Sequence, residues 1–237
     1  MSCASSNGGG GRSSARIAPL GRVGECLAPY RQGMRSVETA EKLVAEKEPG
    51  ATFFAVTDGV LAASKVYRGR GRQIMGFFYP GDLVLPGLPR TAWTTSVHAL
   101  TRARLEVFPL DAVCGGCGIE SDLGYDLFEV ACRELSRRWE AAMRFRGLSG
   151  YGRVAVFLLD VGQRLGAAQG RGLVIPLPMT RAEIASYLGL RTETVCRVFS
   201  KWNRGGLITL KGPRIVEVQD LADLEILIEE SGIPTAV

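Results

Sequence analysis

The chain has 237 residues, 46% of them hydrophobic, and a formal net charge of +5. That length suits one large or two modest domains with a real buried core. Mean hydropathy is +0.09, and no apolar run approaches the ~20 residues of a membrane span, so a soluble, cytoplasmic protein with no membrane partner is expected.

Met1 to Arg16 is rich in Ser and Gly, and residues 1–30 predict a flexible tail, not a signal peptide. From about Thr39 to Leu110, short β-rich runs alternate with glycine turns. Ala51 to Val56 precedes Asp58-Gly59, Val60 to Tyr67 precedes the basic turn Arg68 to Arg72, and Gln73 to Tyr79 ends at Pro80-Gly81-Asp82. Ser96 to Leu110 supplies two further runs. This spacing predicts an antiparallel sandwich or barrel over 31–120. His98, the only histidine, falls within a strand and reads as a structural residue.

From Ser121 to Leu148 the pattern changes to a long helix. Phe128, Ala131, Leu135, Arg138, Ala142 and Phe145 recur at steps of three and four, an a/d seam with one charged intruder. Such a seam predicts pairing with a second copy, and Leu127, Val130 and Met143 on the opposite face would hold the β domain. A helix over Arg153 to Leu165, a loop over Gly166 to Gly172 and a strand over Val174 to Leu177 follow.

Met179 to Phe199 is the most informative stretch. Ile184, Ala185 and Leu188, then Leu190, Val195, Val198 and Phe199 beyond Gly189, turn one face of each of two short helices inward. Thr180 with Glu183 has capping-box spacing, and Thr192 is placed to start the second helix in the same way. The second helix offers Glu193, Cys196 and Arg197 outward. A glutamate accepts from a cytosine amino group and an arginine grips guanine with two hydrogen bonds, and a helix-turn-helix carries such residues into the major groove. Gly205-Gly206 ends that helix, a hairpin with the basic tip Lys211 to Arg214 follows, and an amphipathic helix covers Asp220 to Glu229. Between Leu177 and Val218 there are seven Lys/Arg against three acids, a local net charge of +4. Most of the chain's positive excess therefore sits where the phosphates of double-stranded DNA would need it.

The order β-roll, long helix, winged helix-turn-helix resembles the CRP/FNR superfamily of transcription regulators, in its FNR/FixK-type subgroup. Arg72-Gln-Ile-Met-Gly-Phe-Phe-Tyr-Pro-Gly-Asp-Leu83 looks like the FNR-type Q-I-x-G-F-x-x-x-G-D segment. Tyr187 to Leu190 and Glu193-Thr-Val-Cys-Arg197 look like the recognition element. The resemblance implies an α+β fold: an N-terminal antiparallel β-roll of the cyclic-nucleotide-binding type (31–120), a dimerisation helix (121–148) and a C-terminal winged helix-turn-helix (149–237). It implies a homodimer at a palindromic site with TTGA and TCAA halves, an activator recruiting RNA polymerase, and no enzyme. Glu193 and Arg197 match the family's base readers. Thr180, Thr192 and Cys196 join them as contact candidates, and charge adds Arg191, Lys201 and Lys211 as phosphate contacts.

No cofactor is expected. The cyclic-nucleotide Gly-Glu turn and Arg-Ser/Thr pair are missing: Pro80 to Leu88 lacks the glutamate, Trp93 stands near the arginine position, and only the nearby Arg90 offers a substitute. The FNR iron-sulfur cluster needs four cysteines, but the N-terminus holds only Cys3 and Cys26, and Ala103 to Val107 holds none. Cys114-Gly-Gly-Cys117 with Cys132 is one thiol short of a closed metal site. Cys196, on the recognition helix near Arg197, is the redox candidate, since a favoured thiolate is the form that oxidises. The alternative is a regulator switched by a ligand, haem or metal at the roll or at the Cys114, Cys117 and Cys132 cluster.

Overall fold

A computed structural model describes residues 24–25, 27–48, 50–69, 71–85, 94–116 and 147–231, with 124, 125, 128, 129, 132, 136, 139, 143 and 145 between them. After a 3-10 turn (Ala28–Tyr30) come β1 (Gly33–Val37), β2 (Lys42–Val44), β3 (Thr52–Asp58), β4 (Leu61–Tyr67), β5 (Gly71–Phe78), β6 (Leu83–Val84), β7 (Ser96–Ala99), β8 (Ala103–Pro109) and α1 (Leu110–Gly116). The described residues between 124 and 143 are helical. Then follow α2 (Gly150–Leu165), β9 (Ala167–Gln169), β10 (Gly172–Pro176), α3 (Arg181–Leu188), α4 (Thr192–Arg204), β11 (Ile208–Leu210), β12 (Ile215–Val218) and α5 (Leu221–Glu230).

The roll is two four-stranded antiparallel sheets, β1-β8-β3-β6 and β2-β7-β4-β5. Their inner faces share a core containing Phe54, Val56, Leu61, Val97 and Leu105. The outer face of the first sheet is also covered: Phe53 stacks on Phe108, ring centres 5.1 Å apart, and Leu27 and Val113 pack there. Strand β3 is therefore buried on both sides over Phe53 to Val56, which is why those residues read as a continuous apolar run without alternation. At the β3–β4 turn Gly59 has φ +82°, and a Cβ there would lie 2.3 Å from the Arg102 carbonyl oxygen. Only glycine fits that approach.

The outer face of the second sheet packs on the C-terminal unit. Ala62, Ile74 and Tyr79 of the roll share one apolar cluster with Phe157, Ile184 and Val198. The molecule is thus layered, with α1, two sheets and the winged helix in succession. In the winged helix, β11-β12-β10-β9 form a small antiparallel sheet.

Several local expectations change. Helix α2 begins at Gly150, because the Ser149 side chain accepts from the Gly152 N–H. The segment 166–172 contains strand β9, paired to β10. Helix α4 starts at Thr192, but its N-cap is Arg191 and makes no side-chain cap bond, so Thr192 is not the cap. The tip of the β4–β5 hairpin excludes Arg72, which lies in β5 and donates to Ser64 Oγ at 3.0 Å.

Of the expected helical seam, only Phe128 and Phe145 lie among the described residues. Phe128 is exposed, in a stripe with Tyr125, Trp139 and Met143, and Cys132 at the intervening heptad position is exposed too. Met143 is thus open instead of holding the β domain. Phe145 does not continue the stripe: it meets the Tyr187 ring edge-on at 5.8 Å, because the chain there has left the helix in a turn. Ala131, Leu135, Arg138 and Ala142 lie outside the described residues, as do Cys3, Cys26, Arg90, Trp93 and Cys117, and the side chain of Cys114. Among the described residues no helix is long and apolar enough to cross a membrane, and no group of three or more His, Cys, Asp or Glu is arranged to hold a metal.

Candidate nucleic-acid interface

Helix α3 is set by its first turn. Thr180 Oγ1 accepts from the Glu183 N–H at 3.2 Å, and Glu183 Oε2 accepts from the Thr180 N–H at 2.8 Å. This reciprocal capping box satisfies donors that an α-helix start leaves open. Helix α3 stops at Gly189, whose φ of +65° is the left-handed conformation of a helix end. The chain turns there, and Leu190 donates to the Ala185 carbonyl to close the corner.

Helix α4 buries Val195, Val198, Phe199 and Trp202 and leaves Glu193, Cys196, Arg197, Ser200 and Arg204 exposed. Those five positions fall at steps of three and four along one side, so they form a single outward stripe. Glu193, Cys196 and Arg197 stand where the sequence places them. Ser200 and Arg204 are the members it passes over, and extending the same helical period by two turns finds them.

Beneath the stripe, Arg181 lies over the Phe199 ring, its guanidinium carbon 3.7 Å from the ring centre. Burial lowers the Arg181 pKa, and the charge of Cys196 works against that shift.

The remaining candidates divide by what already holds them. The Thr180 side chain is exposed but engaged in the cap. Arg191 is exposed at the helix start. Lys201 is exposed one turn beyond Arg197, beside the stripe, and its Nζ lies 5.0 Å from the Tyr151 ring centre. Lys211, on the wing, pairs with Glu217 at 3.7 Å while remaining 56% exposed, which leaves its charge accessible. Arg214 is exposed, yet its guanidinium donates to the Pro178 carbonyl at 2.8 Å, tying the wing to the connector between β10 and α3. Asn203 Oδ1 accepts from the Leu210 N–H at 2.9 Å, tying the wing to α4.

His98 occupies β7 as a structural residue. Arg72 Nη2 lies within 2.8 Å of its ring nitrogens, and Glu183 Oε1 faces its Nε2 at 3.7 Å. Burial and the Arg72 charge lower its pKa; Glu183 opposes them.

This geometry belongs to a known family. The Crp-like helix-turn-helix domain matches residues 152–227. The nitrogen fixation regulation protein FixK of Bradyrhizobium diazoefficiens is 34% identical over 176 residues, covering 73% of this chain and 72% of that protein. The transcriptional regulatory protein btr of Bordetella pertussis is 30% identical over 224 residues, covering 89% and 92%. The solved structure of FixK2 from Bradyrhizobium japonicum has the same fold, with a TM-score of 0.75 and 24% identity over 86% of this chain and 98% of that one. A capping-boxed first helix, an outward stripe on the second and a tethered wing are thus those of a DNA reader, and the chain belongs to the CRP/FNR superfamily of non-catalytic, DNA-binding transcription regulators, near its FixK- and FNR-type members.

Proposed function

We propose that two copies of the chain bind a palindromic promoter site with TTGA and TCAA halves and activate transcription by recruiting RNA polymerase. The observation that carries this reading is the exposed stripe on α4, with Glu193 and Arg197 one turn apart. An acceptor and a bidentate donor at that spacing read the edges of neighbouring base pairs in the major groove. Arg191, Lys201 and Lys211 supply phosphate contacts, which position the helix without specifying sequence. Family members bind DNA as dimers, and the exposed apolar stripe of Tyr125, Phe128 and Trp139 is the surface for the second copy. In this reading 31–120 is the sensor-like roll, 121–148 the dimerising helix and 149–237 the DNA-binding unit.

Cys196 adds a control point. Its thiolate attacks one oxygen of hydrogen peroxide, the O–O bond breaks and the departing hydroxide takes up a proton as water, leaving a sulfenic acid; a second peroxide oxidises this to sulfinate, which fixes a negative charge against the duplex. The test is a gel shift on a TTGAT-N4-ATCAA duplex with reduced and peroxide-treated protein. Binding by the reduced form that weakens on oxidation, with Cys196→Ser insensitive, supports both parts. No binding by reduced protein sinks the DNA site, and equal binding by the two forms sinks the switch.

A further inference from the structure

The roll segment Gln73 to Asp82 is the part of the family-like sequence that DNA reading leaves without a role. Its contacts run to the helix-turn-helix of the same protomer. At one point, the Ile74 N–H in β5 donates to Ser186 Oγ in α3 at 2.9 Å. At a second, the Phe77 ring meets Tyr187 of α3 at 5.2 Å and Phe157 of α2 at 6.2 Å. At a third, Asp82 Oδ1 accepts from Arg164 Nη1 at the end of α2 at 2.7 Å.

The third contact is built with care. Asp82 is 8% exposed. Its other oxygen accepts from the Tyr79 N–H at 2.9 Å, so its own turn aims the carboxylate. The Arg164 guanidinium also lies 5.5 Å from the Tyr79 ring centre. Burial opposes the Arg164 charge, yet the charge and hydrogen bond of Asp82, with Asp160, raise its pKa above the ordinary value.

Contacts at three separate places, on two helices, fix the orientation of one body on another. None of them involves Glu193, Cys196, Arg197, Ser200 or Arg204, so the contact leaves the reading face open. We propose that Asp82 and Arg164, with Ile74–Ser186 and Phe77–Tyr187, are positioning residues that hold the helix-turn-helix at a set angle on the roll. In a dimer that angle sets the separation of the two recognition helices, and with it the spacer length the protein accepts between half-sites. This rests on the dimeric DNA reading above.

The experiment is selection of full-length protein on duplexes whose half-sites are separated by spacers of about 2–8 base pairs. Wild type is expected to favour one length by about tenfold or more over its neighbours, and Arg164→Met to discriminate less than about threefold, with unchanged base preference inside each half-site. Arg164→Lys, which keeps the charge, restores much of the preference. Ser186→Ala, a near-isosteric change, is measured alongside so that a misfolded Met variant does not decide the matter, and it is expected to broaden the preference in the same direction. Sharp wild-type spacer preference in a folded Arg164→Met, or in Ser186→Ala where the Met variant misfolds, overturns the proposal. Loss of half-site preference in the wild type counts against the DNA site itself and leaves a distinct signature.

Discussion

Arg181 and Phe199 join the two helices of the helix-turn-helix face to face, the guanidinium carbon 3.7 Å from the ring centre. A stacked guanidinium contributes about 0.5–2 kcal/mol and covers apolar surface with its stem. Arg181→Ala is expected to cost about 1 kcal/mol and lower the melting temperature by about 2–4 °C. Calorimetry checks this, and an unchanged transition shows that the stack carries no stability.

Arg197→Ala is expected to weaken specific DNA binding by about 1–3 kcal/mol and to relax selectivity at one base pair. Lys211→Ala is expected to weaken all duplexes alike and to lower the salt slope by about one. Anisotropy titrations on matched and single-substituted duplexes at several salt concentrations separate the two behaviours. The same effect from both variants removes the distinction between reader and phosphate contact.

Gly59→Ala is expected to destabilise the roll by about 1–3 kcal/mol or more, since it forces a side chain into φ +82° and against the Arg102 carbonyl. Urea denaturation measures it. Gly69→Ala, at φ +76° with nothing within 4 Å of the added carbon, isolates the backbone cost from the clash and is expected to cost less.

Stability is expected to fall as pH drops below 6.5. His98 has a lowered pKa in the fold, so the unfolded chain binds its proton first. Below the unfolded value the unfolded state holds more protons, and native stability declines until the folded value is passed. His98 is the only histidine, so His98→Gln is expected to flatten that part of the profile. Urea midpoints from pH 7 downward check it, and an equal slope in the variant assigns the effect to other groups.

What the residues declare in advance follows from periodicity. The α3 capping box, the inward face of Ile184 and Leu188 and the outward triad of Glu193, Cys196 and Arg197 are local patterns, and all are present in the fold. Strands β1, β2, β6 and β9 escape notice because two to five residues carry too little alternation. The contacts of Phe77 with Tyr187 and of Asp82 with Arg164 link residues 110 and 82 positions apart, and no spacing rule connects such pairs. Phe145 illustrates the same limit. Its step of three from Ala142 fits a helical seam, but its ring meets Tyr187, a partner 42 positions away that no local period points to.

The Asn203–Leu210 bond ties the wing to the recognition helix, and the Arg214–Pro178 bond ties its tip to the connector before α3, so wing and helix form the two jaws of one calliper. Neither jaw yields alone, so a duplex whose groove is too narrow or too wide must deform to be gripped. The pliability of bases that no side chain touches is then expected to become part of what the protein selects, which binding to duplexes differing only in those bases would measure.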